Sequence, residues 1–194
     1  MASVEYLIKQ FLTPDKKNLD LSNKNIGDKG AIKLSKAKNL SKLKKLILPN
    51  NNISDEGITA IANSENFKRL TDLDIYGNVI SDDGVKAIAE SPYMSNLKKL
   101  SLYGNLVEDE GAIAIAESQT LSKLKHLFIN SNRIRREGIE SLQKAKCRTR
   151  LCHLHVDDLK DFYYEEVSDE DDEDLINSWE ELKARAAANR DSED

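Results

Sequence analysis

The stretch LKKLILPNNNISDEGITAIA, residues 43–62, returns almost intact as LKKLSLYGNLVEDEGAIAIA, residues 97–116. Leu46, Leu48, Asn51, Ile53 and Gly57 of the first stretch match Leu100, Leu102, Asn105, Val107 and Gly111 of the second. Between the two, Leu73, Ile75, Asn78, Ile80 and Gly84 fill the same positions. The glycines Gly30, Gly57, Gly84, Gly111 and Gly138 therefore recur every 27 residues, as do Leu19, Leu46, Leu73, Leu100, Leu127 and Leu154. A fixed period of this length signals a stacked array, in which each unit buries its apolar side only against its neighbours.

Within one unit the pattern changes from strand to helix. Leu46 and Leu48 alternate with Lys45, Ile47 and Pro49, so a short strand sends its leucines to one face. Ile58, Ile61 and Ala62 then recur at helical spacing, as do Val85, Ile88 and Ala89, and Ala112, Ile115 and Ala116. One strand and one helix per unit can share a core.

The repeated motif reads L-x-x-L-x-L-x-x-N-x-I and resembles the leucine-rich repeat. The helical half, Asp55 to Ala62, resembles the ribonuclease-inhibitor subtype. The resemblance covers roughly residues 16 to 157. It implies an α/β fold, a right-handed horseshoe solenoid with parallel strands on the concave face and helices on the convex face. The expected organisation is an N-terminal helical cap (1–15), a solenoid of five 27-residue repeats and a sixth strand (16–160), and an acidic linker with an amphipathic helix (161–194).

Two ladders have structural explanations. Asn51, Asn78, Asn105 and Asn132 fall where the chain bends after each strand, and an amide can both donate to and accept from buried backbone there. Gly57, Gly84, Gly111 and Gly138 fall in the first helical turn, where glycine costs ~1 kcal/mol against alanine. Either close packing or a positive φ would account for them. At the N-terminus, Val4, Leu7, Ile8, Phe11 and Leu12 form an apolar helical stripe after a Ser3 cap, suited to covering the open end of the core.

The net charge of −5 is unevenly divided. From Asp157 onward there are 16 acidic and 4 basic residues, a balance of −12, leaving 18 acidic and 25 basic residues, +7, in the remainder. Lys44, Lys45, Arg69, Lys98, Lys99, Lys123 and Lys125 precede the strands, whereas Asp28, Asp55, Asp82, Asp83, Asp109 and Glu110 begin the helices. Complementation of helix dipoles would explain both sets. Without interleaved aromatics the basic set does not point to nucleic acid. The N-terminus shows no basic stretch followed by an apolar run, and no segment has the length and apolarity of a membrane span, so the expected setting is the cytoplasm, away from membranes.

Strand parity assigns three outward columns. They run Asn18, Lys45, Asp72, Lys99, His126, His153; then Asp20, Ile47, Asp74, Ser101, Phe128, His155; then Ser22, Pro49, Tyr76, Tyr103, Asn130, Asp157. Tyr76, Tyr103 and Phe128 give this face an aromatic centre, rimmed by Asp72, Asp74 and Lys99, of the kind that protein interfaces use. Plain shielding of a sheet by β-preferring side chains is the alternative. His126, His153 and His155 share one corner as a conceivable metal site, although exposed imidazoles are the commoner outcome.

No nucleophile–base set, phosphate loop or metal motif of known spacing is evident. The expected function is a non-catalytic, monomeric protein–protein interaction module without cofactors. Its composition resembles that of the eukaryotic-type repeat proteins that intracellular bacteria deliver as effectors into host cells. Activators of small GTPases and actin-capping domains use similar repeats and stand as alternatives. Leu175, Ile176, Trp179 and Leu182 form an apolar stripe beyond an acidic run with eight acids between Glu165 and Asp174. If that stripe docks on the last repeat, emission from the single Trp179 is blue-shifted and reverts in Leu175→Ala/Leu182→Ala. Emission typical of indole in water would instead indicate a tethered motif.

Overall fold

The computed structural model describes residues 3–148 and 151–156, with the side chains of 146–148 left aside. These residues belong to one compact unit, Met1–Leu159. The third-column Asp157, the acidic run and the Trp179 stripe lie outside the described residues.

Helix α1 (Val4–Phe11) starts at Ser3, whose hydroxyl accepts from the Tyr6 N–H at 3.2 Å. Then strands β1 (Asn18–Asp20), β2 (Lys45–Ile47), β3 (Asp72–Asp74), β4 (Lys99–Ser101), β5 (His126–Phe128) and β6 (His153–His155) alternate with helices. These are α2 (Gly27–Ser35), α3 (Asp55–Ala62), α4 (Asp82–Glu90), α5 (Asp109–Glu117) and α6 (Arg136–Arg148). The strands form one parallel sheet in sequence order. Each residue pairs with its equivalent one repeat on, Leu46 with Leu73 and Leu73 with Leu100. Short 3₁₀ turns, Lys38–Leu40, Glu65–Phe67 and Pro92–Met94, lead from helix to next strand and bury Leu40, Phe67 and Met94.

The core lies between sheet and helices. Leu46, Leu48, Ile53, Ile58 and Ile61 of one repeat are fully buried, and so are their equivalents Leu73, Ile75, Ile80, Val85 and Ile88 to within 1%. Helices of ~10 Å diameter sit over strands ~4.8 Å apart, so the helical layer is the longer and the sheet occupies the inside of the arc. Val4, Leu7 and Ile8 of α1 close the first repeat's end. Phe11, expected in that stripe, is 38% exposed; the Lys24 ammonium lies 4.5 Å from its ring centroid. It is the last residue of the helix, before the chain turns to the Leu12–Leu19 bridge.

The asparagine ladder forms as expected. The Asn78 side-chain oxygen accepts from the N–H groups of Asn51 (3.1 Å) and Ile53 (3.0 Å) in the preceding repeat. Its amide nitrogen donates to the carbonyls of Leu48 (3.0 Å) and Ile75 (2.9 Å). Asn51 does the same for Lys24, Ile26 and Leu21, Asn105 for Ile80 and Ile75, and Asn132 for Val107 and Leu102. Asn51, Asn78 and Asn105 are buried; Asn132, near the end of the array, is half-buried.

Of the two explanations for the helical glycines, close packing holds. A Cβ on Gly84 would fall 2.4 Å from the Asp55 carboxylate and 2.7 Å from Ile58, and Gly57, Gly111 and Gly138 meet Asp28, Asp82 and Asp109 at 2.4–2.6 Å. Left-handed residues lie elsewhere, and five of them form a column between strand and Asn that the sequence reading missed. It comprises Asn23, Asn50, Gly77, Gly104 and Ser131, with φ between +52° and +64°. Asparagine and glycine are the residues that tolerate this region best.

Asn78→Ala strips partners from buried N–H and C=O groups of two repeats. It is expected to lower stability by at least about 1–3 kcal/mol, read as a lower midpoint in chemical denaturation.

Candidate functional site: the outward face of the sheet

The outward columns stand in the register that parity assigned. Asn18, Lys45, Asp72, Lys99, His126 and His153 pair in succession, and so do Asp20, Ile47, Asp74, Ser101, Phe128 and His155. The third column follows beyond the strands, where the N–H groups of Asn50, Gly77 and Gly104 donate to the carbonyls of Tyr76, Tyr103 and Asn130. Pro49 belongs to this column yet is buried beside the Asn51 turn, so its repeat contributes no ring to the face.

Tyr76 and Tyr103 are 37% and 42% exposed, with ring centroids 5.2 Å apart and tilted at 56°. Offset or tilted geometry is the favourable arrangement for two rings with negative faces and positive edges. Phe128 is half-buried and does not extend this pair; it stacks at 4.5 Å on His155 and carries the Lys99 ammonium 5.1 Å from its centroid. Asp72 lies 4.0 Å from the Lys45 ammonium and accepts from the Thr71 hydroxyl at 2.6 Å. Asp74 accepts from the Tyr76 N–H at 3.3 Å and so braces the turn that presents the ring. The six expected residues thus form two adjoining groups, Tyr76–Tyr103 with Asp74, and Lys99–Phe128, with Asp72 beside them in the strand ladder.

The histidines do not converge. His126 and His153 stack face to face, 4.6 Å apart and 6° from parallel, while His155 stacks on Phe128. Register pairing aligns their rings side by side and turns no set of nitrogens to one point. Among the described residues no group of three His, Cys, Asp or Glu side chains is placed to hold a metal ion.

The two charged rims behave differently, and here the structure corrects the helix-dipole expectation. Acids of the first turn do cap helices, but chiefly the next repeat's. Asp55 accepts from the N–H groups of Ser81 (2.8 Å) and Gly84 (3.0 Å) and from the Ser81 hydroxyl (2.6 Å). Asp28 serves Ser54 and Gly57, Asp82 serves Glu108, and Asp109 serves Arg135 and Gly138. The basic rim caps nothing. No base occupies the last turn of α3, α4 or α5. Serines of the following repeat donate to C-terminal carbonyls of α2, α3 and α4, Ser64 to Ser35, Ser91 to Ala62 and Ser118 to Ala89, at 2.5–2.6 Å. The 3₁₀ turns carry the lysines away from the helix ends to the start of the strands. On the helical side, Lys86 donates to Glu110 at 2.5 Å; this hydrogen bond holds the Glu110 carboxyl below its ordinary pKa and raises that of Lys86.

With this geometry in place, the family of the repeat can be named. The family described as Leucine Rich repeat matches residues 17–35, 39–62, 69–89 and 93–116. No curated protein matches the chain. Among solved structures, an internalin from Listeria monocytogenes is similar at 25% identity and a TM-score of 0.46, covering 70% of this chain and 36% of the internalin. The chain thus spans about a third of that protein's length. The four matched segments each contain a strand and its helix from β1 to α5, and the chain is a leucine-rich repeat protein, an α/β solenoid of the class that commonly serves protein–protein interaction.

The contrast between rims can be measured. Asp55→Ala removes the acceptor at the N-terminus of α4 and is expected to destabilise by about 1–2 kcal/mol in thermal or chemical unfolding. Lys98→Gln, on the other rim, is expected to leave stability within about 0.5 kcal/mol.

Proposed function

We propose that this protein is a non-catalytic interaction module that holds a protein partner on the outward face of its sheet. The observation that carries the reading is the Tyr76–Tyr103 pair: two large, exposed rings in mutual contact on a face whose backbone is already fully paired. A tyrosine offers large apolar area with a polar tip and few rotatable bonds, so its burial by a partner gives much area for little lost entropy. Lys99 and Phe128 adjoin the pair, with Asp72 and Asp74 as polar rim.

The repeat subtype in this reading is ribonuclease-inhibitor-like, supported by one helix of eight or nine residues in each of α2 to α5. The setting is intracellular, the protein acts as a monomer, and a role as a bacterial effector in the host cytoplasm fits the composition. Among the described residues no helix is long and apolar enough to cross a membrane.

Tyr76→Ala/Tyr103→Ala tests the proposal. The double variant is expected to keep the parent's circular dichroism and to melt within about 5 °C of it, the shift that losing one exposed ring pair would cause. In affinity capture from cell lysate it should lose, by tenfold or more, a protein that the parent retains. Unchanged capture would remove the tyrosines from the interface, and unfolding of the variant would show that the rings support the core.

A further inference from the structure

The lysines before the strands form a strip that is broken at Thr71. Lys44 and Lys45 donate their N–H groups to Lys17 O, Thr71 to Lys44 O, Lys98 and Lys99 to Thr71 O, and Lys125 to Lys98 O. The positions Lys17, Lys44, Thr71, Lys98 and Lys125 therefore succeed one another across five strands at the ~4.8 Å strand spacing. Lys44, Lys98 and Lys125 are exposed, and among the described residues none of the three has an ion-pair partner. Lys99 and His126 adjoin them, and an open cleft is lined by Lys44, Lys98, Lys99, Lys125 and His126 together with Asp72. Like charges on neighbouring strands repel, and serines already perform the helix-end capping that could have explained them. The strip has no structural role within the described residues.

We infer that this strip seats an acidic, extended segment of a protein partner. From Lys44 to Lys125 is three strand spacings, about 14 Å, which an extended peptide covers in four or five residues. Acidic side chains at alternate positions of such a segment, about 6.7 Å apart, all face the lysines. The flexible ammonium stems absorb the mismatch between that interval and the strand spacing.

Two features favour a peptide over a nucleic acid. Asp72 in the cleft, with Asp74 and Asp20 on the same face, interrupts the positive surface that a uniformly charged phosphate backbone follows, whereas a peptide can set neutral residues opposite these carboxylates. The two rings of the cleft, Phe128 and His126, already stack on His155 and His153, where strand-binding proteins offer open rings to successive bases. The inference deepens the reading of this sheet as an interaction surface by giving the chemistry of the partner along one edge.

Fluorescence anisotropy of a labelled ten-residue polyglutamate, titrated with the full chain, tests it. The parent should bind with an affinity that falls as salt rises. Lys98→Gln/Lys99→Gln/Lys125→Gln should bind about tenfold more weakly with an unchanged melting curve, and arginine at the same three positions should restore binding. Two controls fix the location and the class of ligand. Lys9→Gln/Lys29→Gln/Lys36→Gln removes equal charge elsewhere and should bind as the parent does. Oligothymidylate of equal charge should bind more weakly than the peptide. Absence of salt-dependent binding, equal loss in the control variant, or tighter binding of the oligonucleotide would each overturn the proposal. Tyr76→Ala/Tyr103→Ala should keep the peptide affinity, so failure of the lysine strip and failure of the tyrosine interface are read separately.

Discussion

The side-chain amide of each ladder asparagine is the interaction on which this fold depends. A strand of three residues cannot turn into a helix without burying backbone N–H and C=O groups that have no strand or helix partner. Asn78 meets that demand with acceptor and donor at once, taking hydrogen bonds from Asn51 and Ile53 and giving them to Leu48 and Ile75. Because the partners belong to two repeats, the same side chain also fixes the stacking offset. The leucines above and below then interdigitate in a dry core that tolerates no slippage of register.

Once the offset is set, other polar contacts between repeats fall into line. The carboxylate of Asp55 reaches the start of α4, and only a glycine at position 84 leaves it room. Ser91 reaches back to the last carbonyl of α3. Helices α3 and α4 are thus capped at both ends by neighbouring repeats, the kind of contact by which stacked units stabilise one another.

The division of labour between the charged rims links this architecture to function. Aspartates at the helix starts are consumed by the fold. Lysines at the strand starts are not, and neither are Tyr76 and Tyr103. A surface whose strands are paired, and whose charges and rings meet only one another at the surface, can be specified by what it binds. On the proposed function the tyrosine pair would supply apolar area near the centre and the lysine strip electrostatic attraction at one edge, a combination that separates affinity from steering.

The period of 27 residues, read from Leu46, Asn51 and Gly57 onward, was enough to determine the class of fold, the strand register and the membership of the outward columns, because each repeat poses the same local problem and solves it with the same residues. The asparagine ladder was legible for the same reason. The targets of longer contacts were not. That Asp55 caps α4 as well as lying in α3, that Gly84 is small because a carboxylate crosses it, and that lysines stand clear of the helix ends all depend on how far one repeat is displaced over the next. Parity also placed Tyr76, Tyr103 and Phe128 on one face without saying that two would touch while the third stacked on His155, or that the histidines would lie flat against rings and not converge. Sequence spacing fixes which face a side chain occupies; the tertiary structure decides which neighbour it meets, because that depends on rotamers and on offsets between residues 25 to 30 apart in the chain.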